Sequence, residues 1–131
     1  MSYFNPVIIM FKFKALLWVF GRLLKKAAKT NPDFVEYIKG KDLTFQIQTA
    51  KGKGRHFIVK EGTVRSKRGL AKTPTFSLIF KDAATALGVM TSKDKTAFMK
   101  AIQDKDLVIS GDFKEVMWFQ GLTKYLKPKR K

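Results

Sequence analysis

The sequence predicts an α+β protein, because two different hydrophobic periods occupy separate parts of the chain. Between residues 43 and 80, apolar and polar residues alternate, as they do along half-buried strands. Residues 6–29 and most of residues 83–126 instead repeat apolar residues at helical spacing. The 131 residues suit one domain, and a hydrophobic content of 45% is enough for a packed core. We therefore expect a single domain over residues 1–131.

A long amphipathic helix is predicted for residues 6–29, within an N-terminal segment 1–30. At about 100° per residue, its cations share an arc of about 160°. They are Lys12, Lys14, Arg22, Lys25, Lys26 and Lys29. Four large apolar residues lie among these cations, although a helix packed on its own domain has no need to expose them. They are Ile8, Phe11, Trp18 and Val19. We expect a membrane or partner to dock here, through Phe11, Lys12, Lys14, Trp18, Arg22, Lys25 and Lys26.

The rest of the chain divides into short elements with recognisable ends. Asn31 and Pro32 begin a second helix. Strands are predicted at residues 43–48, 56–60, 63–66, 75–80 and 107–110. Helices are predicted at residues 83–91, 95–103 and 113–126, and a basic tail at residues 127–131. Asp82 is expected to cap the first of these helices, Ser92 or Lys93-Asp94 to start the second, and Asp112 with Glu115 to form a capping box for the third.

The net charge of +17 indicates an anionic partner, which could be lipid headgroups, nucleic acid or an acidic protein. The absence of Cys fits a reducing compartment. Lys12, Lys14 and Arg22 interrupt the N-terminal apolar stretch, so no bilayer span is expected, and the segment lacks a leader pattern. We expect a cytoplasmic protein, with peripheral association at the inner face of the membrane.

Catalytic chemistry finds little support in the sequence. His56 is the only histidine and lies in a predicted strand without an acidic cluster nearby. Gly52-Lys53-Gly54 lacks the spacing of a phosphate-binding loop and favours a hairpin turn. Asp104, Asp106 and Asp112 flank a strand, which favours turn and cap roles over calcium binding. We expect no catalytic residue, no metal site and no cofactor.

Two alternatives use the same positive charge differently. Residues 51–72 carry eight cations and could bind nucleic acid, but their one aromatic, Phe57, fits the core side of a strand. An accessory subunit would instead use the apolar strip of the first helix to dock an enzyme that modifies lipids, and a homodimer is also open.

The C-terminal half is rich in Met and Phe on three successive helices. Its apolar residues are Leu87, Met90, Phe98, Met99, Ile102, Met117, Trp118 and Leu122. Met suits irregular, adaptable pockets, while an ordinary core uses the same residue types. The pattern alone leaves both a core and a cavity open.

From about residue 38 onward, the chain resembles the sterol carrier protein type-2 (sterol-binding domain) family. The similarity lies in the stretch Leu43–Gln48, in Gly62-Thr63-Val64 and in Pro74–Phe80. More specific are Asp82-Ala-Ala-Thr-Ala-Leu87-Gly-Val-Met90, Ala97-Phe98-Met99 and Leu107-Val-Ile-Ser-Gly111-Asp112 before an apolar helix.

The resemblance implies a five-stranded, mainly antiparallel sheet in the order 3-2-1-4-5, with helices on one face and an apolar tunnel between them. It also implies binding of a fatty acyl, sterol-like or isoprenoid quinone-type molecule without chemistry. On this reading the eight C-terminal residues above would line the tunnel together with Phe45, Ile47, Phe76 and Leu78. The expected function is lipid carriage with peripheral docking on anionic membranes.

Overall fold

The computed structural model describes residues 6–94 and 96–126. The predicted basic tail at residues 127–131 lies outside this described part. The helices are α1 (Pro6–Thr30), α2 (Pro32–Ile38), α3 (Ala83–Met90), α4 (Ala97–Gln103), α5 (Phe113–Leu122) and a 3₁₀ turn (Thr123–Leu126). The strands are β1 (Leu43–Thr49), β2 (Gly54–Lys60), β3 (Thr63–Arg68), β4 (Phe76–Phe80) and β5 (Leu107–Gly111).

The five strands form one sheet in the order β3-β2-β1-β4-β5, which confirms the predicted order. β1 pairs with β4 in parallel, and the other three pairings are antiparallel. The α+β class is therefore also confirmed.

Several boundaries differ from the sequence-based expectation. β2 and β3 each gain two residues, because the Arg55–Arg68 and His56–Lys67 pairings extend the hairpin beyond the alternating apolar residues. The last α-helix stops at Leu122 and continues as the 3₁₀ turn. α4 begins at Ala97, two residues later than predicted, and ahead of it the Asp94 carboxylate accepts hydrogen bonds from the Thr96 amide and hydroxyl.

Helix α1 packs on β2, β3, α2 and α3 through one apolar face. Its buried side chains are Phe13, Leu17, Phe20, Leu24 and Ala27. The helix comes close to the sheet at Gly21, where a Cβ would lie 2.5 Å from the Ser66 Oγ. The opposite side carries Ile8, Phe11, Trp18 and Val19, and each is exposed as the helical projection predicted.

Three phenyl rings in adjacent strands form the centre of the core. Phe45 stacks on Phe57 at 5.0 Å and on Phe76 at 5.4 Å between centroids. Phe119 of α5 meets the Phe45 ring at 5.1 Å in an edge-on geometry, and Phe20 of α1 meets Phe57 at 5.6 Å. We call Phe45, Phe57, Phe76, Phe20 and Phe119 the phenyl cluster. It joins the sheet to α1 and α5.

The outer sheet face is covered over β1 by residues 69–75, the crossover strap. The Ala71 amide donates to Gln46 Oε1 at 2.9 Å, and His56 Nδ1 lies 3.0 Å from the Gly69 carbonyl oxygen. Gln46 Nε2 donates to the Ser77 Oγ at 2.9 Å. Gln46 is consequently buried, so this part of the alternating strand does not face water as a half-buried pattern implies.

Helix α5 is joined to α2 by polar contacts. The Tyr37 hydroxyl donates to the Trp118 carbonyl at 2.7 Å, and the two rings stack at 5.9 Å. Burial raises the pKa of the Tyr37 hydroxyl above its ordinary value, and the nearby Tyr125 adds to the shift. Lys41 Nζ pairs with Glu115 Oε1 at 2.6 Å.

That pairing corrects the predicted capping box of α5. Asp112 caps the helix as expected, since its carboxylate accepts from the Lys114 amide at 3.0 Å. Glu115 does not complete the box, because its carboxylate is engaged by Lys41. The Asp112 amide donates instead to the Thr75 carbonyl at 3.0 Å. Asp82 caps α3 as predicted, through the Thr85 amide at 2.8 Å.

We predict that Gly21→Ala lowers the free energy of unfolding despite its better helix propensity. The new Cβ would also lie 2.7 Å from the Ser66 Cβ, and overpacking of this kind costs about 1–3 kcal/mol. The propensity gain is only about 1 kcal/mol. Urea denaturation measures the difference.

Gly88→Ala in α3 is the matched control, because a Cβ there meets no atom within 4 Å. It should stabilise the protein by up to about 1 kcal/mol. Equal gains in both variants would contradict the close packing of α1 on the sheet.

Candidate functional site

A cavity of about 580 Å³ lies between the inner face of the sheet, α1 and the C-terminal helices. This volume falls within the range of about 300–1,000 Å³ that is usual for small-molecule sites. Its wall is mostly apolar and includes residues from β1, β4, α1, α3, α4, α5 and the 3₁₀ turn. The hollow is thus built by elements distant in sequence.

The floor of the cavity is apolar and lies beside the phenyl cluster. Ile47 of β1 and Leu78 of β4 are direct neighbours in the sheet, each one step beyond the stacked rings. Phe80 completes the floor, and Phe119 and Phe98, whose centroids are 6.3 Å apart, contribute to the wall. Aromatic rings pack against Phe45 and fill the space above it. Above Ile47 and Leu78 the space is open and forms the cavity.

Helix α1 supplies one wall of the cavity. Leu16, Phe20, Val19 and Leu23 line it, and Val19 and Leu23 are also 44% and 41% exposed. A side chain that both lines the hollow and meets solvent must lie at its opening. The cavity therefore opens along the flank of α1.

The rim also carries polar groups. Ser92 and Asp94 from the α3–α4 linker lie on one part, and Gln120, Thr123 and Lys124 lie on another. Asp94 accepts from Thr96 and, at 3.2 Å, from Lys100 Nζ. These donors lower the pKa of the Asp94 carboxyl to about 2, with Thr96 the main cause. The ionised Asp94 carboxylate is therefore already paired with Lys100. Lys124, by contrast, joins none of the three ion pairs within residues 6–94 and 96–126.

Four of the twelve sequence-predicted tunnel residues line this cavity. They are Ile47, Leu78, Met90 and Phe98. Phe45 and Phe76 are fully buried within the phenyl cluster, and Leu122 is fully buried as well. Leu87 and Ile102 pack against the core. Close ring packing accounts for the places of Phe45 and Phe76, which contact Phe57 and Phe119 as well as each other.

The remaining three predicted tunnel residues face other directions. Met99 and Met117 are 37% and 51% exposed. Trp118 stacks on Tyr37, with Lys41 Nζ 5.3 Å from its ring centroid. Helical spacing placed them with the apolar residues, but α5 turns Met117 and Trp118 toward solvent and α2, and α4 leaves Met99 exposed.

Sequence reasoning missed the wall that α1 contributes. Leu16, Phe20 and Leu23 belong to the apolar arc of its helical projection, so a signal for burial was present. Nothing in that projection distinguishes a residue against the core from one against a hollow. Val89, Ala97 and Phe119 were missed for the same reason.

Other candidates from the sequence occupy ordinary structural places. His56 lies under the crossover strap, away from the cavity. Phe57 is fully buried, so the basic stretch 51–72 offers no exposed ring from this residue for base stacking. Within the described ranges, no group of three or more His, Cys, Asp or Glu side chains is placed to hold a metal ion. No helix there has the length and hydropathy to cross a bilayer.

We predict that the Asp94 carboxyl titrates near pH 2 in the folded protein, below its ordinary 3.8. Because the pKa of Asp94 is lower in the folded protein than in the unfolded chain, its ionised carboxylate stabilises the fold above the unfolded pKa. This contribution to stability is lost as the pH falls through about 2. Thr96→Val should raise this pKa toward 3.8, because it removes the hydroxyl donor.

Carboxyl carbon NMR over an acid titration tests this. Thr91→Val is the matched control in the same linker, since the Thr91 hydroxyl donates to the Leu87 carbonyl rather than to Asp94. An Asp94 pKa of 3.8 in the unaltered protein would contradict the hydrogen bonding described at the rim.

Several solved structures share this fold. A ubiquinone synthesis protein described as UbiJ-SCP2 is 15% identical, with a TM-score of 0.63, over 86% of this chain and 96% of its own. Sterol carrier protein domain 2 of Helicoverpa armigera is 12% identical, with a TM-score of 0.58, over 100% of this chain and 99% of its own. A sterol carrier protein 2 is 15% identical, with a TM-score of 0.54, over 86% and 94%.

The chain also matches a family model. No curated protein sequence matches this chain. The model of the SCP-2 sterol transfer family, however, matches residues 20–124, from the cavity-facing part of α1 to the polar rim at Lys124. The matched region contains the whole sheet and two of the four α1 residues that line the cavity, Phe20 and Leu23. The protein belongs to the SCP-2 sterol transfer family.

Proposed function

We propose that the protein binds a lipid or similar long apolar molecule in the cavity and carries it without transforming it. The cavity of about 580 Å³, with α1 as one wall above an apolar floor, is the observation that carries this proposal. Membership of a sterol transfer family supports the same class of ligand. A hydrocarbon chain lying on Ile47 and Leu78 would be shielded from water along its length.

The energetics favour a carrier over a tight receptor. Each methylene that leaves water gains about 0.8 kcal/mol, but one that leaves a bilayer gains almost nothing. The cavity then needs only to match the membrane interior, and its role is to lower the barrier of crossing water. Such a pocket discriminates weakly between chain lengths, since one methylene is worth at most about 1–3 kcal/mol.

Docking on an anionic membrane is the second part of the proposal. Helix α1 has six cations and no acidic residue, and Phe11 and Trp18 are 71% and 50% exposed among them. Each Lys or Arg near an anionic surface contributes about 1 kcal/mol, so five or six engaged cations suffice for reversible attachment. The exposed rings would enter the headgroup layer, as they do in interfacial amphipathic helices.

Ala97→Phe should block ligand binding while the protein still folds. Ala97 lines the cavity near its rim, so a phenyl ring there would occupy space meant for the chain. We expect at least a tenfold loss of affinity for a fluorescent acyl-chain probe. Ala84→Phe, at an exposed site on α3, is the control and should bind the probe normally. Normal binding by both variants would argue against this cavity as the ligand site.

Phe11→Ser/Trp18→Ser should weaken sedimentation with anionic vesicles about tenfold or more, because it removes the apolar groups of the docking face. Val108→Ser/Phe113→Ser is the matched control, since these two residues are about as exposed but lie on β5 and α5. Circular dichroism establishes that both variants fold. Unchanged vesicle binding by the α1 variant would rule out docking through this face.

A further inference from the structure

A shallow groove on the outer side of α1 adjoins the mouth of the cavity. It has a volume of about 540 Å³ and contains Trp18, Arg22, Lys25, Lys26 and Lys29. Val19 and Leu23 line both this groove and the cavity. The two spaces therefore meet along one ridge, which is apolar on the inner side and cationic on the outer side.

The charge of this groove is not balanced locally. None of the residues lining it is acidic, and none of its four cations takes part in an ion pair within the described ranges. The Arg22 guanidinium lies 5.1 Å from the Trp18 ring centroid, within the range of a cation–π contact. The C-terminus of α1 contributes only about half a negative charge, so the groove remains strongly positive.

The rim on the other side of the cavity mouth adds to the positive electrostatic potential of the groove. Lys124 contributes a further cation. The negative charge of Asp94 is paired with Lys100, and its carboxylate also accepts a hydrogen bond from the Thr96 hydroxyl. A polar headgroup drawn into the apolar cavity would lose its hydration without replacement partners. The headgroup of a bound amphiphile should therefore stay at the mouth, next to the cations.

We propose that the groove of Arg22, Lys25, Lys26 and Lys29 is a binding site for the anionic headgroup of the bound molecule, a carboxylate or phosphate monoester. The chain passes over Val19 and Leu23 into the cavity, while the headgroup accepts charge-assisted hydrogen bonds from the groove. This inference rests on the proposed function, since it requires a chain in the cavity. A headgroup site in this groove would make the protein prefer singly acylated anionic amphiphiles over neutral ones of equal chain length.

The test compares dodecyl phosphate and dodecanoate with monolaurin, each as monomers below its aggregation threshold and without vesicles. We expect the two anionic ligands to bind at least tenfold more tightly than monolaurin at low salt, and the ratio to fall as salt screens the groove. NMR follows two probes: the side-chain methyls of Ile47 and Leu78 report the chain, and the indole N–H of Trp18 reports the headgroup.

Arg22→Gln/Lys26→Gln should reduce the preference to about one, with the affinity for monolaurin unchanged. Lys60→Gln/Arg65→Gln removes the same two charges from exposed sites on β2 and β3 and should retain the preference. Loss of the preference in both variants would attribute it to overall charge and overturn the headgroup site.

Inorganic phosphate separates a lipid headgroup from a free anion. If it shifts the Trp18 signal at the same concentration as dodecyl phosphate, the groove binds phosphate alone and the inference is wrong. Equal binding of all three amphiphiles with shifted cavity methyls would overturn the headgroup site and leave the carrier function intact. No methyl shift with any of them would overturn both.

Discussion

The stacking of three phenyl rings across β2, β1 and β4 is the constraint on which the rest of the interior depends. Phe45 lies between Phe57 and Phe76, and Phe119 covers the same ring from α5. Rings packed this closely leave no space between them. The cavity lies one step along the strands, where Ile47 and Leu78 take the place of Phe45 and Phe76. One set of contacts thus supplies the core and limits the cavity.

Helix α1 performs three structural tasks that follow from its three sides. Its buried side closes the core and approaches the sheet at Gly21, where the missing side chain permits contact with Ser66. Its flank, with Val19 and Leu23, forms the mouth of the cavity. Its outer side presents cations among exposed apolar residues. The carrier function that we propose benefits from this arrangement, because the proposed docking face and the cavity mouth share one helix.

Hydrocarbon burial and charge contribute differently to a site of this kind. Transfer of a chain from a bilayer into an apolar cavity is nearly neutral, so the cavity provides shielding rather than selectivity. Charged groups at the mouth act on the headgroup alone and can discriminate between ligands with identical chains. In this protein we propose that the positive groove along α1 supplies such selectivity.

The sequence by itself determined the α+β class, the helix and strand positions and the exposed strip of α1, because each depends on local periodicity or on a capping residue such as Asp82. The sheet order was accessible only through the family resemblance. The tertiary structure alone decided which apolar residues line the cavity: Phe45 and Ile47 are two residues apart on the same face of β1, yet one is locked among rings and the other lies under the hollow. Periodicity reports which face a side chain takes, but whether that face meets atoms or empty space depends on the volumes of residues far away in the chain.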